Sequence, residues 1–118
     1  MNAHRPLVSL LYNPTTPELL AYCGGLVEHL SVMPDRLWLD HGVEAGAAQR
    51  VRLIAPAVAQ LRADAAGRGL SGHGLGLSLP SAMPLDETMV DAVDRVARSL
   101  GGFGWHSEHL NLFLTPKG

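Results

Sequence analysis

Short apolar runs alternate with segments of helical periodicity along this chain. Four of the runs have the length of a β-strand and are bounded by Gly, Pro or Asn, residues that often end strands. We therefore expect four strands, over residues 7–12, 26–33, 69–77 and 103–106.

Three helices are predicted between these strands. Apolar residues recur at spacings of three and four in the second and third of them. Pro56 lies inside the second helix, so it either kinks that helix or marks its true start. Residues 35–48 and 78–84 are expected to be loops. The helices are expected over 18–23, over 49–67, and from the N-cap Asp86 to the glycines at 101 and 102.

The resulting order, β-α-β-α-β-α-β, predicts an α/β protein with parallel strands joined by right-handed crossovers. Two architectures fit this order. One is a small doubly wound sheet, which the length of 118 residues favours. The other is the first half, about four strands, of a TIM-like (β/α)8 barrel, which usually needs about 250 residues. The positions of the polar residues favour the half-barrel, as one partial domain over 1–118.

Composition narrows the class of protein. Hydrophobic residues make up 47% and charged residues 17%, which excludes a disordered chain. The net charge is -2 and the nine basic residues are scattered, which argues against a nucleic-acid partner. No apolar run approaches a membrane span, and the first residues lack a signal-peptide pattern. With Cys23 as the single cysteine, a disulfide framework is excluded, and we expect a cytoplasmic protein.

Polar side chains lie at the predicted strand ends. Asn13 and Asp35 follow the first two strands, His73 lies in the third between two glycines, and Glu108 and His109 follow the fourth. The carboxyl ends of parallel strands gather the active site in α/β folds. Glycine neighbours allow a metal or an anionic group to approach His73 closely. A hydrogen-bonded core histidine is the alternative for His73, and a surface turn is the alternative for Glu108 and His109.

The adjacency of Glu108 and His109 limits what they can do together. Neighbouring residues on a strand point to opposite faces of the sheet, so both could face a barrel interior only where the strand has ended. The pair suits a metal site in which one residue binds the ion and the other supports it.

Three segments together resemble domain-of-unknown-function family 692. They are residues 30–35 (Leu-Ser-Val-Met-Pro-Asp), residues 72–78 (Gly-His-Gly-Leu-Gly-Leu-Ser) with 84–86 (Pro-Leu-Asp), and residues 105–110 (Trp-His-Ser-Glu-His-Leu). The characterised members of this family are multinuclear non-heme iron-dependent oxidative enzymes. The resemblance covers essentially the whole chain but only the N-terminal half of the family's barrel.

The resemblance implies a TIM-like barrel that holds two or three iron ions. Such enzymes use dioxygen to modify cysteine-containing peptides, often delivered by a partner protein. By position, His73 and Glu108 match metal ligands of the family. His109 matches the signature as a ligand or a supporting group, and Asp35 stands at an acidic position of the second-strand motif.

The sequence departs from the family pattern in two ways, and both indicate an incomplete metal site. Where the family typically has Glu-Val-His-x-Glu-Asn, Ser31 and Met33 replace the first Glu and the His, and a thioether is not a ligand that iron prefers. The family's ligands on strands five to eight have no counterpart in this sequence. We therefore expect a fragment or subunit of an iron-dependent oxidoreductase. A missing C-terminal half, a second polypeptide or a homo-oligomer would complete it.

Two other functions stay open from the sequence. One is a non-catalytic remnant or partner-binding α/β module with no bound metal. The other is a different TIM-type metal-dependent isomerase or hydrolase, since these also place His and Glu at strand ends.

Overall fold

A four-stranded parallel sheet organises the fold. The structure, a computed structural model, describes residues 5–77, 79 and 84–110. Within these residues the strands neighbour one another in the order β1, β2, β5 and β6, and β3 and β4 form a separate antiparallel pair. The strands are β1 (Ser9–Leu11), β2 (His29–Val32), β3 (Trp38–Asp40), β4 (Val51–Leu53), β5 (Gly69–Gly74) and β6 (His106–Glu108).

The helices are α1 (Thr16–Cys23), α2 (Ala47–Arg50), α3 (Ala55–Asp64) and α4 (Glu87–Ser99). Two of these four helices, α1 and α4, lie close to their predicted bounds. Pro56 lies in the first turn of α3 and so marks its true start. Asp86 caps α4, because its carboxylate accepts a hydrogen bond from the Thr88 N–H at 3.1 Å. The loop predicted over 78–84 falls largely outside the described residues.

The region between β2 and α3 differs from its prediction as a loop followed by a helix. It contains the β3–β4 hairpin, and the helix predicted from residue 49 begins only at Ala55. Val51 and Leu53 flank Arg52 as they would on a strand, yet Val51 also fits helical spacing with Ile54 and Val58. A strand of three residues is too short for the alternation of polar and apolar positions to distinguish it from a helix. Pairing with β3 therefore decided that residues 51–53 form a strand.

The parallel sheet has two unlike faces. Residues paired in register share a face, and Leu10, Leu30 and Leu70 form one such row. This apolar face also carries Val32 and packs against α3 and α4 through Val58, Leu61, Ala92 and Val96. The next row, Leu11, Ser31 and Ser71, lies on the opposite face, together with His73 and Ser107. We call this second face the polar face.

The four parallel strands follow chain order across the sheet without a reversal. A doubly wound sheet reverses its strand order at a switch point, and these four strands show no such reversal. In the part of the chain that the structure describes, β1 and β6 have one neighbouring strand each. No helix in that part is long and apolar enough to cross a membrane.

Arg68 joins three parts of the fold. Its guanidinium donates hydrogen bonds to the backbone carbonyls of Gly24 at 2.9 Å, Val27 at 3.1 Å and Asp64 at 2.8 Å. These carbonyls belong to the turn after α1, the approach to β2 and the end of α3. A single half-buried cation therefore hydrogen-bonds carbonyls from three separate segments.

Arg50 makes a second long-range connection. It pairs with Asp40 of the hairpin at 3.0 Å and with the α4 cap Asp86 at 2.7 Å. Hydrogen bonds from Arg50 are the main cause that lowers the pKa of the Asp40 carboxyl. Arg50 thus ties the hairpin to the start of α4.

We expect Arg68→Met to lower the free energy of unfolding by about 2 kcal/mol, because hydrogen bonds to a charged group are worth more than neutral ones. Urea denaturation followed by circular dichroism measures this. Arg52→Met is the matched control, since Arg52 is exposed and its guanidinium makes no hydrogen bond with a described residue. Equal unfolding midpoints for the two variants would show that Arg68 does not join these elements.

Asp40 should make stability depend on acid pH. Its pKa is lower in the folded protein than in the unfolded chain, so its contribution is complete above about pH 4 and is lost as pH falls through the folded pKa. Asp40→Asn should flatten this part of the pH profile of unfolding free energy. Asp91→Asn, at an exposed position on α4, should leave the profile unchanged. Identical profiles for wild type and Asp40→Asn would contradict the assignment.

Candidate metal centre

Two histidines meet on the polar face at the carboxyl edge of the sheet. His73 lies in β5, paired in register with Ser107 of β6. His109 follows β6, and its backbone N–H continues the ladder to the Gly74 carbonyl at 2.9 Å. The two imidazole rings are 4.4 Å apart between centroids and inclined at 60°. The sheet therefore brings together two residues that are 36 positions apart in sequence.

Both imidazoles are held through Nδ1. The Nδ1 of His73 lies 2.7 Å from the Ser107 hydroxyl, and that hydroxyl in turn donates to the Gly72 carbonyl at 3.5 Å. The Nδ1 of His109 lies 3.3 Å from the Gly74 carbonyl. These partners assign the proton of each ring to Nδ1. Each Nε2 is left as an acceptor with no hydrogen-bond partner among the described residues, which is how metal-binding histidines are usually supported.

Glu108 lies on the other face of the sheet. It pairs in register with Gly74, one residue after the His73–Ser107 pair, so it shares a face with the apolar rows. Its side chain is only 6% exposed. The carboxylate accepts hydrogen bonds from the Leu77 N–H at 3.2 Å and from His106 Nε2 at 3.0 Å. Glu108 and His109 thus point to opposite faces, as adjacent residues on a strand do.

Asp35 reaches the same edge from the turn after β2. Its carboxylate accepts a hydrogen bond from the Leu75 N–H at 2.9 Å. Asp35 and Glu108 therefore both hold the backbone that follows β5. Within residues 5–77, 79 and 84–110, no three His, Cys, Asp or Glu side chains lie close enough to hold one metal ion.

A second cluster on the polar face has no counterpart in the sequence prediction. His29 is buried, lies 2.9 Å from the Ser71 hydroxyl through Nε2, and stacks on Trp105 with ring centroids 4.7 Å apart. His29 pairs with Gly69 at the amino ends of β2 and β5, away from the His73–His109 pair. No local signal marks this cluster, because its members lie on three different strands or strand approaches.

We expect Gly74→Ala to destabilise the protein by about 1–3 kcal/mol, because a Cβ at this position would overlap the Glu108 carboxylate. Thermal unfolding measures the loss. Gly25→Ala is the matched control, since a Cβ there meets nothing within 4 Å, and its effect should stay within about 1 kcal/mol.

A double-mutant cycle tests the cause of that loss. If overlap is responsible, Glu108→Ala should cost less in the Gly74→Ala background than in the wild type. Strict additivity of the two changes would show that Glu108 is not the group displaced.

The carboxyl edge of the sheet thus gathers two supported imidazoles and two carboxylates that brace the backbone beside them. No protein-family model, curated protein or solved structure matches this chain. What the chain does is therefore inferred from these side chains and from the motif resemblance.

Proposed function

We propose that this chain forms the N-terminal half of an iron-dependent oxidative enzyme of the family 692 type, with His73 and His109 as metal ligands. One observation carries the proposal. Each of these neighbouring rings is hydrogen-bonded through Nδ1, and its Nε2 has no hydrogen-bond partner among the residues that the structure describes. Histidines held in this way have a fixed tautomer and orientation before a metal arrives.

The donor set suits a non-heme iron. Two imidazoles and one carboxylate form the facial triad of many Fe(II) oxygenases, and open positions on such an iron activate dioxygen when it is bound. Asp35 and Glu108 both end at this edge of the sheet, but Glu108 points to the face opposite the two histidines, so Asp35 is the candidate for the carboxylate. Asp35 would have to exchange its hydrogen bond with the Leu75 N–H for the metal, or a second chain would supply the third ligand.

The protein's own residues have distinct tasks in this proposal. The Ser107 hydroxyl and the Gly74 carbonyl orient the two rings and keep each proton on Nδ1. Asp35 and Glu108 fix the backbone after β5, close to where a substrate would approach. By resemblance, that substrate is a cysteine-containing peptide delivered by a partner protein.

The half-barrel part of the proposal is supported by the strand order and the two faces. In a (β/α)8 barrel the strands follow chain order, the helices cover the outside and the other face lines the interior. The order of the four strands and the packing of α3 and α4 on the apolar face agree with this arrangement. On the polar face Leu11 is 48% and Trp105 57% exposed, so a second copy or a further polypeptide would find apolar surface there.

Metal analysis tests the proposal. Protein purified without oxygen should retain iron. His73→Ala and His109→Ala should each lose most of it, because each variant lacks one of the two histidine ligands. His41→Ala, at an exposed position in the hairpin, is the control and should keep the wild-type iron content. Asp35→Asn should also lose iron if Asp35 is the carboxylate ligand, whereas Glu108→Gln, on the other face of the sheet, should retain it.

Mass in solution, measured on the same samples, separates the outcomes. Iron bound by an assembly of two or more chains supports completion of the site by a second copy. Iron retained by the His73→Ala, His109→Ala double variant would overturn the assignment of ligands. A metal-free wild type whose stability a chelator does not change would favour the partner-binding module.

A further inference from the structure

A cleft opens where β1 and β2 end, between α1 and α3. Its volume is about 540 Å³, within the range typical of small-molecule sites. Its lining includes Val32, which belongs to the apolar face of the sheet. The cleft is therefore on the helix side, away from His73 and His109 on the polar face.

The walls of this cleft are mostly apolar. Pro14, Pro17, Leu37 and Ala57 line it together with Met33. Covering such a lining with an apolar body of matching size lowers the free energy, because apolar surface is removed from water. It sits at the carboxyl ends of two parallel strands, where ligands bind in open α/β sheets.

One cation, Arg36, lines the cleft. Its side chain is exposed, and its guanidinium makes no hydrogen bond or ion pair with any residue that the structure describes. By contrast, Arg50 and Arg68 each bind several acceptors. A guanidinium at the rim of an apolar cleft offers a fork of donors that fits a carboxylate or a similar anion.

The other polar groups of the lining are largely committed to the protein. The Tyr12 hydroxyl donates to Asp64 at 2.6 Å, and the Gln60 amide donates to the same carboxylate at 3.1 Å. The Asn13 carboxamide oxygen accepts from the Thr15 N–H at 2.9 Å, which leaves its NH2 group as a second donor in the lining of the cleft. The first turns of α1 and α3, with a positive partial charge, also face this cleft through Pro17 and Ala57.

We infer that this cleft binds an amphipathic organic anion: an apolar aromatic or branched aliphatic body held between α1 and α3, with its anionic group paired to Arg36. The inference is independent of the proposed metal centre, because none of the candidate metal ligands lines the cleft.

A pair of fluorescent probes tests it on the full chain. Anilinonaphthalene sulfonate carries the predicted apolar body and anion, and uncharged N-phenylnaphthylamine has a similar body without the charge. Arg36→Met should weaken binding of the sulfonate about fivefold, the upper value for a solvent-exposed ion pair, and should change binding of the neutral probe less than twofold. Arg52→Met, the matched exposed arginine, should change neither.

A second variant locates the probes. Ala57→Leu should fill the cleft and weaken both probes, whereas Val43→Ala, which removes an exposed apolar side chain elsewhere, should weaken neither. Thermal unfolding of each variant confirms that it folds. Equal affinity of the sulfonate for wild type and Arg36→Met would overturn the pairing with Arg36. Unchanged binding of both probes to Ala57→Leu would place them outside the cleft and overturn the site itself.

Discussion

The absence of side chains at three positions of β5 is the constraint on which the sheet depends. His29 lies over Gly69, Phe103 and His106 lie over Gly72, and Glu108 lies over Gly74. A Cβ at Gly69 would be 2.7 Å from the His29 ring, closer than such contacts occur. Side chains from both neighbouring strands can therefore cross β5. Glycine has a low strand propensity, but at these three positions it allows the neighbouring side chains to approach the backbone of β5 closely.

The side chains next to β5 differ between the two faces of the sheet. On the helix side, Glu108 is buried and bonded to the backbone after β5, next to the apolar core. On the polar face, His73 and His109 lie together, and Nδ1 of each ring is hydrogen-bonded while Nε2 has no partner within the described part of the chain. The metal centre that we propose and the anion cleft between α1 and α3 thus lie on opposite sides of one sheet. Both use its carboxyl edge.

Local signals in the sequence were sufficient for elements with a specific terminus. Asp86 and the glycines at 101 and 102 fixed α4 because a capping side chain and positive φ are local requirements. The β3–β4 hairpin was missed because its strands are three residues long and its pairing partners are far apart. The last strand was predicted at 103–106 but lies at His106–Glu108, because hydrogen bonds to β5 choose the register. That shift moved Glu108 into the strand and onto the other face from His109.

By itself, the sequence determined the α/β class, the presence of the four parallel strands and of the helices between them, and the set of polar residues at the carboxyl edge, since periodicity, caps and glycines act over a few residues. Only the tertiary structure decided which of those residues meet. His73 and His109 share a face and Glu108 does not, because side chains alternate along β6 and the register between β5 and β6 sets the phase. The hydrogen-bond partners of Arg50 and Arg68 were also decided by the tertiary structure, since only the packing of distant segments brings those partners near.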